Sequence, residues 1–264
     1  MEQIYTLPFF YNLLFVMAII GAIVFVSLYF VDAGYGKMRT EKWGPAINNK
    51  VGWFLMEAPV FLIVLWLWAI SPYPETRRAP YWIFLLFFEA HYFQRSFIFP
   101  FILKGNSKMP IAIMILSVIW NIINGYIQGY WLFHLAPQYY PELYTEAWLT
   151  DPRFIIGAVF FIVGMIINIH SDHVVRHLRK PGDTNHYLPK QGMYRFVTSA
   201  NYLGEITEWF GFAIMTWSAA GALFWWFSCC NLVPRAHAIY NRYAEEFADE
   251  FDRKKLKRII PFIY

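Results

Sequence analysis

Charge is scarce in this chain: Asp, Glu, Lys and Arg make up 15% of 264 residues, against 58% hydrophobic and 21% aromatic ones. A soluble domain usually carries about 25% charge, so the deficit points to lipid as the solvent. Cysteine is nearly absent. The two that occur, Cys229 and Cys230, are adjacent within an apolar run; neighbours on a helix point apart, so they read as small apolar fillers and not as a disulfide. No G-x-G-x-x-G follows a strand and no G-x-x-x-x-G-K-[ST] occurs, so any nucleotide would have to be held by side chains between helices. Seven histidines are too few for a membrane di-iron centre. His170, His173 and His177 share a face but have no second ligand cluster, so no metal is expected. Repeats, low-complexity tracts and interdomain linkers are missing as well. Residues 1–8 lack the basic start of a secretory signal, and the apolar segment after them is too long for a cleaved one.

Long apolar runs bounded by charge, Pro or Gly are plentiful. They cover about 9–31, 51–70, 80–103, 109–135, 152–175, 199–218 and 221–244. At about 20 residues per span, they predict an all-α integral membrane protein. The expected fold is a bundle of seven transmembrane helices forming one polytopic domain over 1–264, with a short tail from about 245. Only Ala219, Ala220 and Gly221 part the last two runs, which predicts a tight helical hairpin. Of the Lys and Arg residues, 18 fall after spans 1, 3 and 5 or on and beyond the end of span 7; Arg77, Arg78 and Arg153 alone fall at the other side. Cytosolic loops carry the basic excess, so the N-terminus is expected outside and the C-terminus in the cytosol. With basic residues interleaved among spans, nucleic acid is not an expected partner and membrane lipid is.

Ionisable groups within a bilayer are costly and ask for a partner or a task. Glu57 stands in VGWFLMEAPVF, roughly 9 Å from the start of its span, and Tyr92 in FFEAHYFQRSF, about 16 Å from the cytosolic end of its own. If the two spans pack together, both reach one cavity in the inner half; the competing reading makes Glu57 an ion-pair partner of Arg95. Asn121, Asn124 and Gln128 share a face of the fourth span, either as interhelical glue or as cavity lining. Asn168, Asp172 and Arg176 recur every four residues at the end of the fifth span. Asn201, Glu205 and Glu208 open the sixth, and Asn231, Arg235 and Arg242 line the seventh. Solvated helix ends explain part of this. A pocket opening to the cytosol is the alternative, and arginines at its rim suit a phosphate-bearing ligand.

Several long motifs carry a resemblance. AGYGK (33–37), WFLMEAPVF (53–61), HYFQRSF (91–97), NGYIQGY (124–130), GMIINIHSDHVVRHLRKPG (164–182), ANYLGEITEWFGFAIMTWS (200–218), PRAHAIYNRYAEEF (234–247) and the terminal IIPFIY cover most of the chain. Together they resemble the steroid 5α-reductase family, its type 1 and type 2 branch in particular. The resemblance implies seven helices and an NADPH-dependent reduction of a 3-oxo-Δ4 steroid, with hydride delivered to C5 and a proton to C4. It gives Glu57 and Tyr92 the task of hydrogen-bonding the C3 carbonyl. It gives Arg95, Asn168, Asp172, Arg176, Arg179, Asn201, Glu205, Arg235 and Tyr243 to the nucleotide. Trp53, Trp209 and Phe224 are the candidate walls of the steroid pocket. A monomer is the working expectation, in the endoplasmic reticulum membrane of a eukaryote or the inner membrane of a bacterium. The chain departs from the family at Met56, at Ala238, Ile239 and Tyr240, and at Asn106, where Lys108 stands nearby as a substitute. These departures bear on substrate range and nucleotide detail. The competing classes are an isoprenylcysteine-type membrane methyltransferase, which needs no Glu57–Tyr92 pair, and a non-enzymatic seven-helix receptor or transporter.

Overall fold

The computed structural model describes residues 6–31, 43–105, 107–178 and 185–264. Helix dominates, and a helix stands at each place where an apolar run predicted one. These are α1 (Leu7–Ser27), α2 (Asn49–Ala69), α3 (Ala79–Phe93) with α4 (Phe99–Ile102), α5 (Ile111–Tyr130) with α6 (Ala136–Tyr139), α7 (Pro152–His177), α8 (Ala200–Thr216) and α9 (Ala219–Glu246). Among the described residues, four stretches are long and apolar enough to cross a membrane: Leu7–Ser27, Asn49–Ala69, Ile111–Tyr139 and Pro152–His177. Such helices turn apolar side chains outward as well as inward. Phe15 on α1 is 67% exposed and Ile166 on α7 62%.

Two features were not expected. One is a two-stranded antiparallel ribbon, β1 (Ala46–Asn48) with β2 (Lys108–Pro110), in which Ile47 faces Met109. It ties together the loops before α2 and α5, and Asn48 then caps α2 by accepting from the Lys50 N–H at 2.9 Å. The other is a pair of π-helical turns, Gln94–Ile98 between α3 and α4 and Trp131–Leu135 between α5 and α6. Each ends just before a proline, Pro100 or Pro137. Proline has no N–H to give the carbonyl four residues back. The N–H of Phe99 bonds Gln94 O and that of Ala136 bonds Trp131 O, a five-residue step that shifts the helix register.

The hairpin before α9 also differs from expectation. Ala219, Ala220 and Gly221 form the first turn of α9 instead of its connection to α8, because Ser218 caps the helix by accepting from the Gly221 N–H at 3.0 Å. The reversal is made by Trp217 in a left-handed conformation (φ 45°), as at many helix C-termini.

The chain divides into two compact units, the described parts of 1–15 and 33–155, and of 16–32 and 156–264. In the first, α2 packs along α5, where Gly125 and Gly129 admit Val60, Ile63, Val64 and Leu67. Nearby, Tyr144 is ringed by Tyr81, Phe84 and Trp148 and accepts from Trp131 Nε1 at 3.3 Å. In the second, α7 and α8 approach until their backbones touch. A methyl group on Gly164 would lie 2.3 Å from Glu208 N, and one on Gly204 2.4 Å from Asn168 N. Gly157 and Gly211 make the same approach one to two turns further along. Trp209, Phe161, Phe212 and Phe224 fill the adjoining core.

Candidate active site

In the first unit, the amide stripe of α5 gathers the two residues singled out from the sequence. Glu57 lies on the face of α2 that meets α5, and Asn121 Nδ2 donates both to its Oε2 at 3.3 Å and to the Met56 carbonyl. One turn along, Asn124 Nδ2 donates to Tyr92 Oη at 3.3 Å, and Gln128 Nε2 donates to Asn124 Oδ1 at 3.3 Å. The three amides are almost fully buried, as is Tyr92, while Glu57 is half-buried. Their hydrogen bonds join α5 to α2 and α3, so that one helix orients a carboxyl from α2 and a phenol from α3. Because the Tyr92 oxygen accepts from Asn124, its own O–H donates elsewhere.

Arg95, inside the first π-turn and buried, lays its guanidinium over the rings of Trp53 (4.5 Å) and Phe99 (4.6 Å), and Trp53 meets Phe99 edge-on at 4.9 Å. Stacking on two faces holds a guanidinium in a fixed plane without neutralising it. The extra residue of the π-turn sets where Arg95 emerges relative to Tyr92, which lies in the regular helix before it.

In the second unit, the glycine contact of α7 and α8 brings another polar chain together. Asn168 Nδ2 donates to the Asn201 carbonyl at 2.9 Å, and Asn201 Nδ2 donates to Asp172 Oδ1 at 3.3 Å. Tyr194 donates to Asn201 Oδ1 at 3.4 Å. Tyr194 comes from the short 3-10 turn before α8 and was not singled out from the sequence, where a loop tyrosine carries no periodic signal. Burial first, then the nearby Asp172 charge and the Tyr243 and Tyr202 phenols, hold it well above its ordinary value, so it remains a donor.

Of the other expected nucleotide residues, Arg176 lies one turn beyond Asp172 and Glu205 one turn beyond Asn201, both half-buried. Arg235 is half-buried on α9 directly after Pro234. The Tyr243 ring belongs to an apolar cluster with Leu188, Tyr240, Ala244, Phe251 and Leu256. Arg242, read as part of the α9 polar line, pairs with Glu246 at 3.5 Å. Arg179 lies outside the described residues. The candidate wall residues Trp209 and Phe224 pack with tilted rings at 4.2 Å between centres and are buried. His170 packs under the Gly192 turn, and the rings of His173 and His177 meet at a tilt, 4.0 Å between centres.

Comparison with known proteins gives this arrangement a context. The model of the 3-oxo-5-alpha-steroid 4-dehydrogenase family matches residues 107–264. The 3-oxo-5-alpha-steroid 4-dehydrogenase 1 of Homo sapiens is 36% identical over 252 residues, covering 96% of this chain and 94% of the relative. The Steroid 5-alpha-reductase DET2 of Arabidopsis thaliana is 36% identical over 275 residues, spanning 100% of both, and the 3-oxo-5-alpha-steroid 4-dehydrogenase 2 of Sus scrofa is 38% identical over 94% of each. These matches do not favour the methyltransferase or receptor readings. The chain belongs to the 3-oxo-5-alpha-steroid 4-dehydrogenase family, oxidoreductases that act on CH–CH groups.

Proposed function

We propose that this chain reduces the Δ4 double bond of 3-oxo-Δ4 steroids to 5α-3-oxosteroids with NADPH. In this reading it is a single polytopic domain with seven spans, its N-terminus outside and its C-terminus in the cytosol. The observation that carries the proposal is the α5 amide ladder, which holds a carboxyl and a phenol from two other helices in one buried stripe. Tyr92 donates its O–H to the C3 carbonyl oxygen, and Glu57 either donates as the neutral acid or orients the Tyr92 hydroxyl. Either arrangement stabilises the charge that develops on that oxygen once C5 is attacked, most effectively where water is excluded. Collapse of the resulting enolate takes up a proton at C4.

NADPH, when bound, supplies the hydride. The donor set in the second unit suits it: the Asn168–Asn201–Asp172 chain offers amide and carboxylate partners for ribose and carboxamide groups, and Arg176 and Arg235 offer guanidinium groups for phosphates. Arg179, Glu205 and Tyr243 belong to the same proposed set, as does Arg95 of the first unit. Trp53, Trp209 and Phe224 supply flat apolar surface for the fused rings of the steroid.

The test is turnover of purified protein with NADPH and a Δ4-3-ketosteroid, followed by product mass and NADPH absorbance. A product two hydrogens heavier supports the reading. Glu57→Gln and Tyr92→Phe should each depress turnover and leave NADPH affinity unchanged; wild-type turnover in both would remove the pair from the mechanism.

A further inference from the structure

Beyond α9 the chain is neither span nor loose tail. Phe251, Leu256 and Ile259 are buried, the first two against Tyr240, Tyr243 and Ala244 of α9 and Leu188. Asp252 caps the turn between them by accepting from the Lys254 and Lys255 N–H groups. Residues 257 and 258 pair with the extended segment before α8: Lys257 N–H bonds Phe196 O, and Thr198 and Ser199 N–H bond Lys257 O and Arg258 O. Arg258 donates to His237 Nδ1 at 3.0 Å and lies over the rings of Tyr240 and Tyr264. The segment is thus pinned along its length, with Arg253, Lys254 and Lys255 on its exposed side.

Its last residues then do what a soluble surface avoids. The N–H groups of Ile259 and Ile260 both bond Tyr264 O at 2.8 Å, and Tyr264 N–H bonds Ile260 O at 3.0 Å. Within this closed turn Phe262 takes a left-handed conformation (φ 67°), which L side chains rarely adopt. The turn holds Phe262 76% exposed, Ile263 78% and Ile260 46%. Its apolar exposure is therefore built by backbone bonds and is not a frayed end.

The place of this knuckle says what covers it. Tyr264 Oη lies 3.4 Å from Tyr29 Oη, just past the last turn of α1, where Phe30 is 84% exposed and Val31 also projects outward. The tip therefore stands where an apolar span ends, and the same segment carries a run of exposed cationic side chains five residues before it. Apolar and aromatic side chains next to exposed Lys and Arg are the chemistry of an element lying in a membrane interface, and the cations favour an anionic leaflet.

We propose that the 251–264 segment is an anionic-phospholipid-binding interfacial anchor: Ile260, Phe262 and Ile263 enter the headgroup–acyl boundary while Arg253, Lys254 and Lys255 meet lipid phosphates and carboxylates. The inference rests on the membrane-spanning part of the proposed function and not on the steroid chemistry. A nitroxide is placed at Ile263→Cys or, separately, Lys254→Cys in full-length protein carrying Cys229→Ala and Cys230→Ala. The protein is held in nanodiscs of phosphatidylcholine alone or mixed with phosphatidylserine. Collisions with oxygen, which concentrates in lipid, are compared with collisions with a water-soluble nickel chelate. The label at 263 is expected to favour oxygen several-fold over the label at 254. The oxygen-to-nickel ratio at 263 is expected to rise with phosphatidylserine and to lose the rise when Arg253, Lys254 and Lys255 are all changed to Gln in the 263-labelled protein. Equal nickel access at 263 and 254 in both lipids would overturn the anchor, and burial at 263 indifferent to phosphatidylserine would overturn its anionic ligand. Absence of steroid reduction with the 263 label still lipid-buried would count against the reductase reading alone.

Discussion

Two helix pairs, α2 with α5 in the first unit and α7 with α8 in the second, each hold a polar cluster, and they do so by different means. In the first, glycines sit on one helix only, and what they admit is mostly the side chains of α2: Ile63 atoms and the Val60 Cα lie 3.2–3.3 Å from a methyl group placed on Gly125. The polar contacts then cross as side-chain hydrogen bonds from Asn121 and Asn124. In the second, glycines sit on both helices and meet backbone, at 2.3–2.4 Å from placed methyl groups. The polar contact that results, Asn168 to the Asn201 carbonyl, itself reaches for main chain. A side-chain contact can give by a rotamer; a backbone contact can give only by moving a helix. Unit 1 should therefore lose chemistry before it loses its fold, and unit 2 the reverse.

The largest expected effect is on the second pair. Gly164→Ala puts a methyl group against Glu208 N, and relief requires α7 and α8 to part. We expect a loss of about 3 kcal/mol, read as an earlier thermal unfolding transition in detergent and a lower yield of folded protein. Gly125→Ala should cost about 1 kcal/mol, since contacts at 3.2–3.3 Å ask Ile63 and Val60 to give by only a few tenths of an ångström. Equal transitions for the two variants would break the comparison.

Next comes the chemistry of the first pair. Tyr92→Phe removes the donor that the proposed function aims at the developing oxyanion, with an expected effect of about 10²-fold or more on kcat and the unfolding transition kept near wild type because the ring still packs on Phe88 at 4.8 Å. Asn124→Leu removes the amide that orients that phenol and that accepts from Gln128. About tenfold in kcat is expected, and because Asn124 acts through Tyr92, the double variant should be no slower than Tyr92→Phe alone. Additive losses in the double variant would mean that Asn124 meets the substrate itself.

How much of this could be read in the sequence depends on whether the residue disturbs a pattern. Glu57, Tyr92 and the α5 amides stand out because each is polar within an apolar span, and the structure brings them together. What the amides bond to was not legible: spacing gives a shared face, while the partner comes from packing against α2 and α3. The glycine contact had a signal that went unused, since Gly157 and Gly164, like Gly204 and Gly211, are seven apart and so share a helix face. The π-turns had one too, in Pro100 and Pro137, each six residues after the turn begins. The tight hairpin between the last two spans is there, but its connection is Trp217 and Ser218 and not Ala219–Gly221, because Ser218 caps α9.

Tyr194 had no signal of either kind, and it supplies the smallest effect and the sharpest contrast with Tyr92. Both are buried phenols held beside an asparagine, but Tyr92 accepts from its asparagine and Tyr194 donates to its own. Tyr194→Phe therefore leaves Asn201 Oδ1 without that donor and loosens the residue that donates to Asp172. We expect NADPH affinity to fall about fivefold, in line with one neutral hydrogen bond, with kcat for the steroid unchanged. The folded phenol titrates well above its ordinary value of 10, so it stays protonated through neutral and mildly alkaline pH. The affinity ratio of wild type to variant should thus be flat there. Any stability linked to this group is fully present below the unfolded value and declines only as the pH rises past it toward the folded one. A ratio that changes between neutral and mildly alkaline pH would mean that the group ionises in the folded protein, and the direction of the Tyr194–Asn201 bond would have to be reversed.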